Sequence, residues 1–363
     1  MSDLIDDRPS GNSQLHYPRG TVLAVQANFY QVQLDPDPTP PTPSLLCTRR
    51  TRLKKVGQRV MVGDRVVVEE PDWTGNRGAI AEVLPRKTEL DRPPVANADR
   101  ILLLFTLDEP SLDPWQLSRF LVKAESTELA VELCLNKRDL VSEADQEAWR
   151  SRLQTWGYDP LLMSVKTGQG MDALKHRIGQ GITILAGPSG VGKSSTINRL
   201  IPQANLRVAN VSGKLGRGRH TTRHVELFEL EQGGLLADTP GFNQPQLTTS
   251  AQELAHCFPE IRQRRQGEDC QFSDCRHRDE PGCQIRGDWE RYDHYRTFLD
   301  EAIAQDTAQH HSGEEESSFK TKAQAGGERR CEPKLASKKY RRQSRRRQHQ
   351  TLQDLCEELD ENF

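Results

Sequence analysis

The sequence predicts a multi-domain chain of three folds in series. An N-terminal all-β, OB-like barrel comes first, then a central α/β domain of the doubly wound P-loop class, then a C-terminal, mostly α domain that binds metal. Three observations predict this. Short β-type runs punctuated by Gly and Pro occupy residues 20–83, with no helical period between them. From Asp99, strands and helices alternate around a complete phosphate-loop motif. After Gly241 the pattern turns helical and collects Cys and His. A chain of 363 residues has room for this, at about 100–200 residues per domain.

The boundaries follow from composition. Residues 1–17 are polar and expected to be disordered; 18–88 form the barrel, 89–245 the α/β domain, 246–306 the metal-binding domain, and 307–363 a disordered basic tail. The net charge is −2 and hydrophobic residues make up 34%, so long polar segments are expected around ordinary cores. No apolar run approaches the ~20 residues that span a bilayer, so no membrane partner is expected. Residues 1–8 are acidic and lack an apolar stretch, so no secretory signal is read and a cytoplasmic location is expected. In that reducing setting, clustered cysteines read first as metal ligands.

In the barrel the runs are Thr21 to Val25, Tyr30 to Leu34, Val66 to Val68 and Ala79 to Val83, with a Pro-rich loop at 36–43. Barrels of this kind often bind nucleic acid; the alternative is a packing module without a ligand. In the α/β domain, Ile101 to Phe105 is a continuous apolar run, as a strand buried on both faces requires. A helix starts at Pro114, a residue suited to the first helical position. Further strands are predicted at Ala130 to Leu135, Leu161 to Met163, Ile182 to Ala186, Val225 to Leu230 and Gly234 to Ala237. Helices are predicted at 142–156, 171–178 and 193–200.

Gly187-Pro188-Ser189-Gly190-Val191-Gly192-Lys193-Ser194 matches the P-loop in full, with a strand before it and a helix after it. Its glycines let backbone N–H groups converge on phosphate oxygens at a helix N-terminus. Lys193 then neutralises the β- and γ-phosphates, Ser194 places its hydroxyl on Mg²⁺, and Ser195 closes the set. The P-loop alone does not choose between adenine and guanine. Asn136-Lys137-Arg138-Asp139 does, because the Asp139 carboxylate can accept from guanine N1–H and the 2-amino group, donors that adenine lacks in that arrangement. Ser164-Val165-Lys166 follows the next strand, in the position of the loop that meets the guanine oxygen, with Ser164 and Lys166 as candidate contacts. Asp238-Thr239-Pro240-Gly241 follows a short strand; Asp238 is the candidate Mg²⁺ acid, and Gly241 N–H can meet the γ-phosphate. Between them lies a Gly/Arg-rich stretch containing His220, Thr221 and Thr222. Either threonine can ligate Mg²⁺. Phe242 occupies the position of a water-orienting Gln, which leaves His220 as the nearest polar candidate for catalysis or as a plain loop residue.

Cys270, Cys275, His277 and Cys283 form a C-x4-C-x-H-x5-C set suited to one tetrahedral, structural Zn²⁺. Cys47, Cys134, Cys257, Cys331 and Cys356 read as ordinary thiols. Seven basic residues within 338–347 can bind phosphate backbones without reading sequence, or form a solvated tail.

The motifs run in rotated order: base-reading motif, Ser-x-Lys, P-loop, switch stretch, Asp-x-x-Gly. Joining the old termini and cutting elsewhere gives this order without changing the sheet, so the α/β domain is a circular permutant. The rotated order, the Gly218-Arg219-His220-Thr221-Thr222 stretch, the N-terminal barrel and the cysteine cluster together resemble the RsgA family, bacterial GTPases of small-ribosomal-subunit biogenesis. The resemblance covers about residues 18–300. It implies GTP hydrolysis to GDP, slow alone and stimulated by the small subunit during late maturation, with rRNA as a partner and a monomeric state assumed. It also implies Zn²⁺ on the same four ligands.

Overall fold

The protein is represented by a computed structural model that describes residues 17–36, 44–91, 93–204, 225–238, 247–267, 270–316, 319–323 and 329–333. Five strands open the chain: β1 (Arg19–Gln26), β2 (Phe29–Leu34), β3 (Ser44–Arg49), β4 (Arg65–Asp72) and β5 (Arg77–Val83), with a short helix α1 (Thr51–Lys55) after β3. They pair in the order β1-β2-β3-β5-β4 and close through β4 onto β1. The β3–β5 pair is parallel and the rest are antiparallel, which makes a five-stranded barrel of the OB type. Val22, Val32, Leu45, Val66, Val68 and Ile80 fill it and are completely buried.

Strand β3 and helix α1 were not among the expected elements. The alternation that marks a half-buried strand is broken in β3 because Leu46 is apolar yet points outward, 47% exposed. α1 spans five residues and buries only Leu53, too little to leave a helical period.

A hairpin, β6 (Glu89–Asp91) and β7 (Pro94–Ala96), leads into the α/β layer. There follow β8 (Arg100–Thr106), α2 (Pro114–Glu125), β9 (Ala130–Asn136), α3 (Glu143–Thr155), β10 (Leu161–Leu162), α4 (Met171–Ile178), β11 (Ile182–Ala186), α5 (Lys193–Leu200), β12 (Glu226–Glu229) and β13 (Leu235–Asp238). The sheet order is β10-β9-β8-β11-β13-β12, parallel except for β12. Period-two alternation divides β8 between two cores. Ile101, Leu103 and Phe105 face one side with α2; Leu102 and Leu104 face the other with α4 and α5.

The barrel and this sheet are continuous. β1 pairs with β12 at Ala24 and Glu226, and Glu226 pairs in turn with Asp238 of β13. The register of β1 shifts between Val22 and Ala24, so Val22 enters the barrel core while Leu23 enters the core under the α/β sheet.

Beyond β13 come α6 (Pro259–Arg264) and α7 (Tyr292–Glu316). Residues up to Ala302 belong to one compact unit, and within it the metal-bearing segment packs against the α/β layer. Arg291 explains why. Its guanidinium is completely buried, forms a two-pronged ion pair with Glu260, and reaches Ser118 of α2. It lies 4.8 Å from the Trp156 ring centroid and 4.9 Å from that of Phe258. A buried guanidinium needs a paired carboxylate and polarisable walls, and these come from both segments. Helix α7 runs on to Glu316. In the second unit, from Ile303, β14 (Phe319–Ala323) and β15 (Arg329–Pro333) form an antiparallel hairpin. The N-terminal residues 1–16 and the basic run 338–347 lie outside the described residues.

Replacing Arg291 with Met strands the Glu260 carboxylate and is expected to cost about 3–5 kcal/mol in urea unfolding, whereas Arg291→Met with Glu260→Leu recovers most of that loss.

Candidate functional site

The carboxyl ends of the parallel strands converge on one edge of the sheet, where open α/β sheets bind ligands. The loop after β11 begins at Gly187, whose φ is +144°. A Cβ there would stand 2.1 Å from the Leu104 carbonyl oxygen, so only glycine lets the loop pass over β8. Gly192, at φ +97°, caps α5, and a Cβ on it would meet the Asn136 amide at 2.6 Å. Val191 between them is buried in the core with Ile197 and Leu200. The Lys193 ammonium folds over the loop and donates to the Gly187 and Pro188 carbonyls at 2.8 and 2.7 Å. Burial lowers its pKa, while the nearby Asp238 carboxylate pulls it back up.

Asn136 ends β9 and is 3% exposed. Its Nδ2 donates to the Val191 carbonyl at 2.9 Å, and its Oδ1 accepts from Val165 N–H at 3.1 Å. One amide therefore fixes the P-loop against the loop after β10. Lys137 has left-handed backbone at φ +58°, and its ammonium donates to the Glu109 carbonyl. Arg138 N–H donates to Met163 O at 3.1 Å, and Asp139 sits in the single 3-10 turn that follows. Ser164 is completely buried, and its hydroxyl accepts from Thr167 N–H at 3.1 Å. Its side chain is thus used within the loop and shapes the turn. Asn136, Lys137, Asp139, Lys166 and Ser195 line a cleft of about 330 Å³ together with Glu109. Glu109 went unnoticed in the sequence; it belongs to no motif, and only the tertiary fold brings it to Lys137.

Asp238 ends β13 in register with Leu185 of β11, one strand from the P-loop. Ser194, Ser195 and Lys193 share the first turn of α5. The structure thus gathers Asn136, Lys137, Arg138, Asp139, Ser164, Lys166, the P-loop and Asp238 on one edge. His220, Thr221, Thr222, Gly241 and Phe242 lie outside the described residues.

A second cluster lies between α6 and α7. The ligand atoms of Cys270, Cys275, His277 and Cys283 all lie within 4.8 Å of one another. His277 Nδ1 is 3.5 Å from Cys270 Sγ and 3.6 Å from Cys283 Sγ, and those sulfurs are 4.0 Å apart. A tetrahedral zinc with Zn–S near 2.3 Å spaces its ligands by about 3.7 Å, so the donor set fits that ion. Burial pushes the Cys275 thiol up to about 12 and lowers the His277 pKa. The loop is held from α7, where Tyr292 donates to the carbonyls of His277 and Arg278, and Tyr295 to that of Arg276. Among the described residues no helix is long and apolar enough to cross a membrane.

Comparison with known proteins agrees with this geometry. The RsgA GTPase family pattern matches residues 83–248. The small ribosomal subunit biogenesis GTPase RsgA of Trichormus variabilis is 60% identical over 358 residues, covering 93% of this chain and 97% of that protein. This chain belongs to the RsgA GTPase family. Among solved structures, YjeQ from Thermotoga maritima superposes with a TM-score of 0.67 at 32% identity, covering 79% of this chain and 98% of that one. YloQ, described as a circularly permuted GTPase, gives the same TM-score at 31% identity, covering 81% and 98%. As an RsgA GTPase the chain is a GTP-hydrolysing enzyme, and its rotated motif order is the family's circular permutation.

Replacing Asn136 with Ala leaves the Val191 carbonyl and Val165 N–H unpaired. The variant is expected to lose about 2–4 kcal/mol in urea unfolding and to bind GDP more than about tenfold more weakly by calorimetric titration.

Proposed function

We propose that this RsgA GTPase acts in late maturation of the small (30S) ribosomal subunit, hydrolysing GTP to GDP and phosphate when stimulated by that subunit. The curated relatives carry the name small ribosomal subunit biogenesis GTPase, and the reading transfers that role to this chain. The observation that carries the nucleotide assignment is the Asn136 link, which brings Asp139 and the P-loop to one cleft.

Asp139 accepts from the guanine N1–H and 2-amino group, Lys137 lies along the base, and Arg138 and Asn136 hold the loop. Ser164 and Lys166 serve the guanine oxygen, Ser164 by shaping the turn. Residues Gly187, Pro188, Ser189, Gly190, Val191 and Gly192 present backbone to the phosphates, with Ser195 beside them. Lys193, partly desolvated already, exchanges its two carbonyl contacts for phosphate oxygens, where its charge is better matched. Mg²⁺, when bound by Ser194, Asp238 and Thr221 or Thr222, neutralises phosphate charge. Gly241 N–H meets the γ-phosphate, and His220 orients the attacking water in place of the Gln that Phe242 replaces. Cys270, Cys275, His277 and Cys283 hold one structural Zn²⁺ that fixes the loop between α6 and α7. The barrel, the metal-bearing segment and the basic tail contact rRNA, and the protein works as a cytoplasmic monomer.

The test is steady-state phosphate release with purified small subunits: the rate is expected to rise at least about tenfold over the protein alone for wild type and to rise far less for His220→Ala. No stimulation of the wild type would overturn the ribosomal role. Separately, Asp139→Asn is expected to shift preference from GTP to XTP, read by competition binding; an unchanged preference contradicts the base-reading assignment.

A further inference from the structure

We propose that Trp115 is a positioning residue for guanine-nucleotide binding, through which α7 holds the segment that walls the base side of the cleft; this rests on the cleft assignment given above. The segment is 107–113, between β8 and α2. At its near end Leu107 N–H donates to Asn136 O at 3.2 Å, and Thr106 Oγ1 donates to Pro110 O at 2.8 Å. Glu109 lines the cleft, and its carbonyl accepts from the Lys137 ammonium. At its far end Asp113 caps α2 by accepting from Trp115 N–H at 2.9 Å. The cleft wall and the first turn of α2 therefore share one short, internally bonded segment.

Trp115 is where α7 grips that turn. Its ring meets His294 at 4.5 Å and Phe298 at 5.1 Å between centroids, both edge to face. One turn later, Arg119 pairs with Glu301 and lies 5.2 Å from the Phe298 ring. The opposite face of α2, with Leu117, Phe120 and Leu121, already anchors the helix in the α/β core. Trp115 is absent from that core and 36% exposed. What its contacts add is the orientation of the first turn relative to α7, and hence the placement of Glu109 and Lys137. A binding group moved slightly off its productive geometry gives up much of the affinity it supplies. α7 is itself tied to the Cys/His loop by Tyr292 and Tyr295, so the order of that loop reaches the base pocket through Trp115.

The test is calorimetric titration of the full chain with GDP. Trp115→Ala is expected to bind GDP about five- to tenfold more weakly, with kcat at saturating GTP changed less than about twofold. Trp115→Phe should restore affinity to within about twofold of wild type. Phe298→Leu should weaken binding in the same direction, and the double variant should be no weaker than Trp115→Ala alone, because both act through one contact. Val32→Ala in the barrel core serves as a control for lost stability and is expected to leave GDP affinity unchanged. A folded Trp115→Ala that binds GDP like wild type overturns the proposal, as does an equal loss in Val32→Ala. If Trp115→Ala does not fold, wild-type affinity in Phe298→Leu overturns it instead. Failure of the cleft assignment itself appears elsewhere, as Asp139→Asn retaining its preference for GTP.

Discussion

Everything at the nucleotide edge depends on one buried side-chain amide. Asn136 donates to a carbonyl 55 residues ahead and accepts from an N–H 29 residues ahead. A carboxamide holds its donor and acceptor at a fixed separation, so one arrangement of the three loops satisfies both. Because the amide is buried, any other arrangement leaves polar groups without water. The glycine at 192 is part of the same constraint, since a side chain there would collide with the amide.

The permuted order gives this constraint its consequences. The loop from Asn136 to Asp139, the turn at Ser164 and the P-loop follow one another directly, and Asp238 arrives last. The strand bearing Asp238 pairs with β12, and β12 pairs with β1 of the barrel, so Asp238, Glu226 and Ala24 stand in one row across three strands. The barrel thus extends the sheet that carries Asp238 and the P-loop. On the other side, Arg291 and Glu260 bury an ion pair against Trp156 and Phe258. Such a pair contributes modest net stability but penalises separation severely, because either partner alone is a desolvated charge.

Most of the α/β layer was legible in the sequence because its signals are local. A strand, a glycine loop and a helix start announce the P-loop, and β11 and α5 begin and end where the pattern places them. The four zinc-type ligands were legible for the same reason, lying within fourteen residues of one another. Strand β3 was hidden by an outward-facing Leu46, and α1 by its shortness. Arg291 and Trp115 left no local signal at all. In sequence Arg291 is one arginine among several in a stretch of mixed charge, and only the packing of α2, α3 and α6 around it reveals a buried charge. The sequence marks Ser164 as a candidate contact, but the use of its hydroxyl inside the turn is visible only in the structure.

The most direct measurement of the Asn136 constraint is hydrogen exchange at the Val165 amide in nucleotide-free protein. Because Asn136 Oδ1 already accepts from it, Val165 N–H is expected to be strongly protected before any nucleotide is added. Exchange as fast as that of an exposed loop amide, with protection appearing only on addition of GDP, would show that the ligand builds the three-loop site and that the asparagine does not.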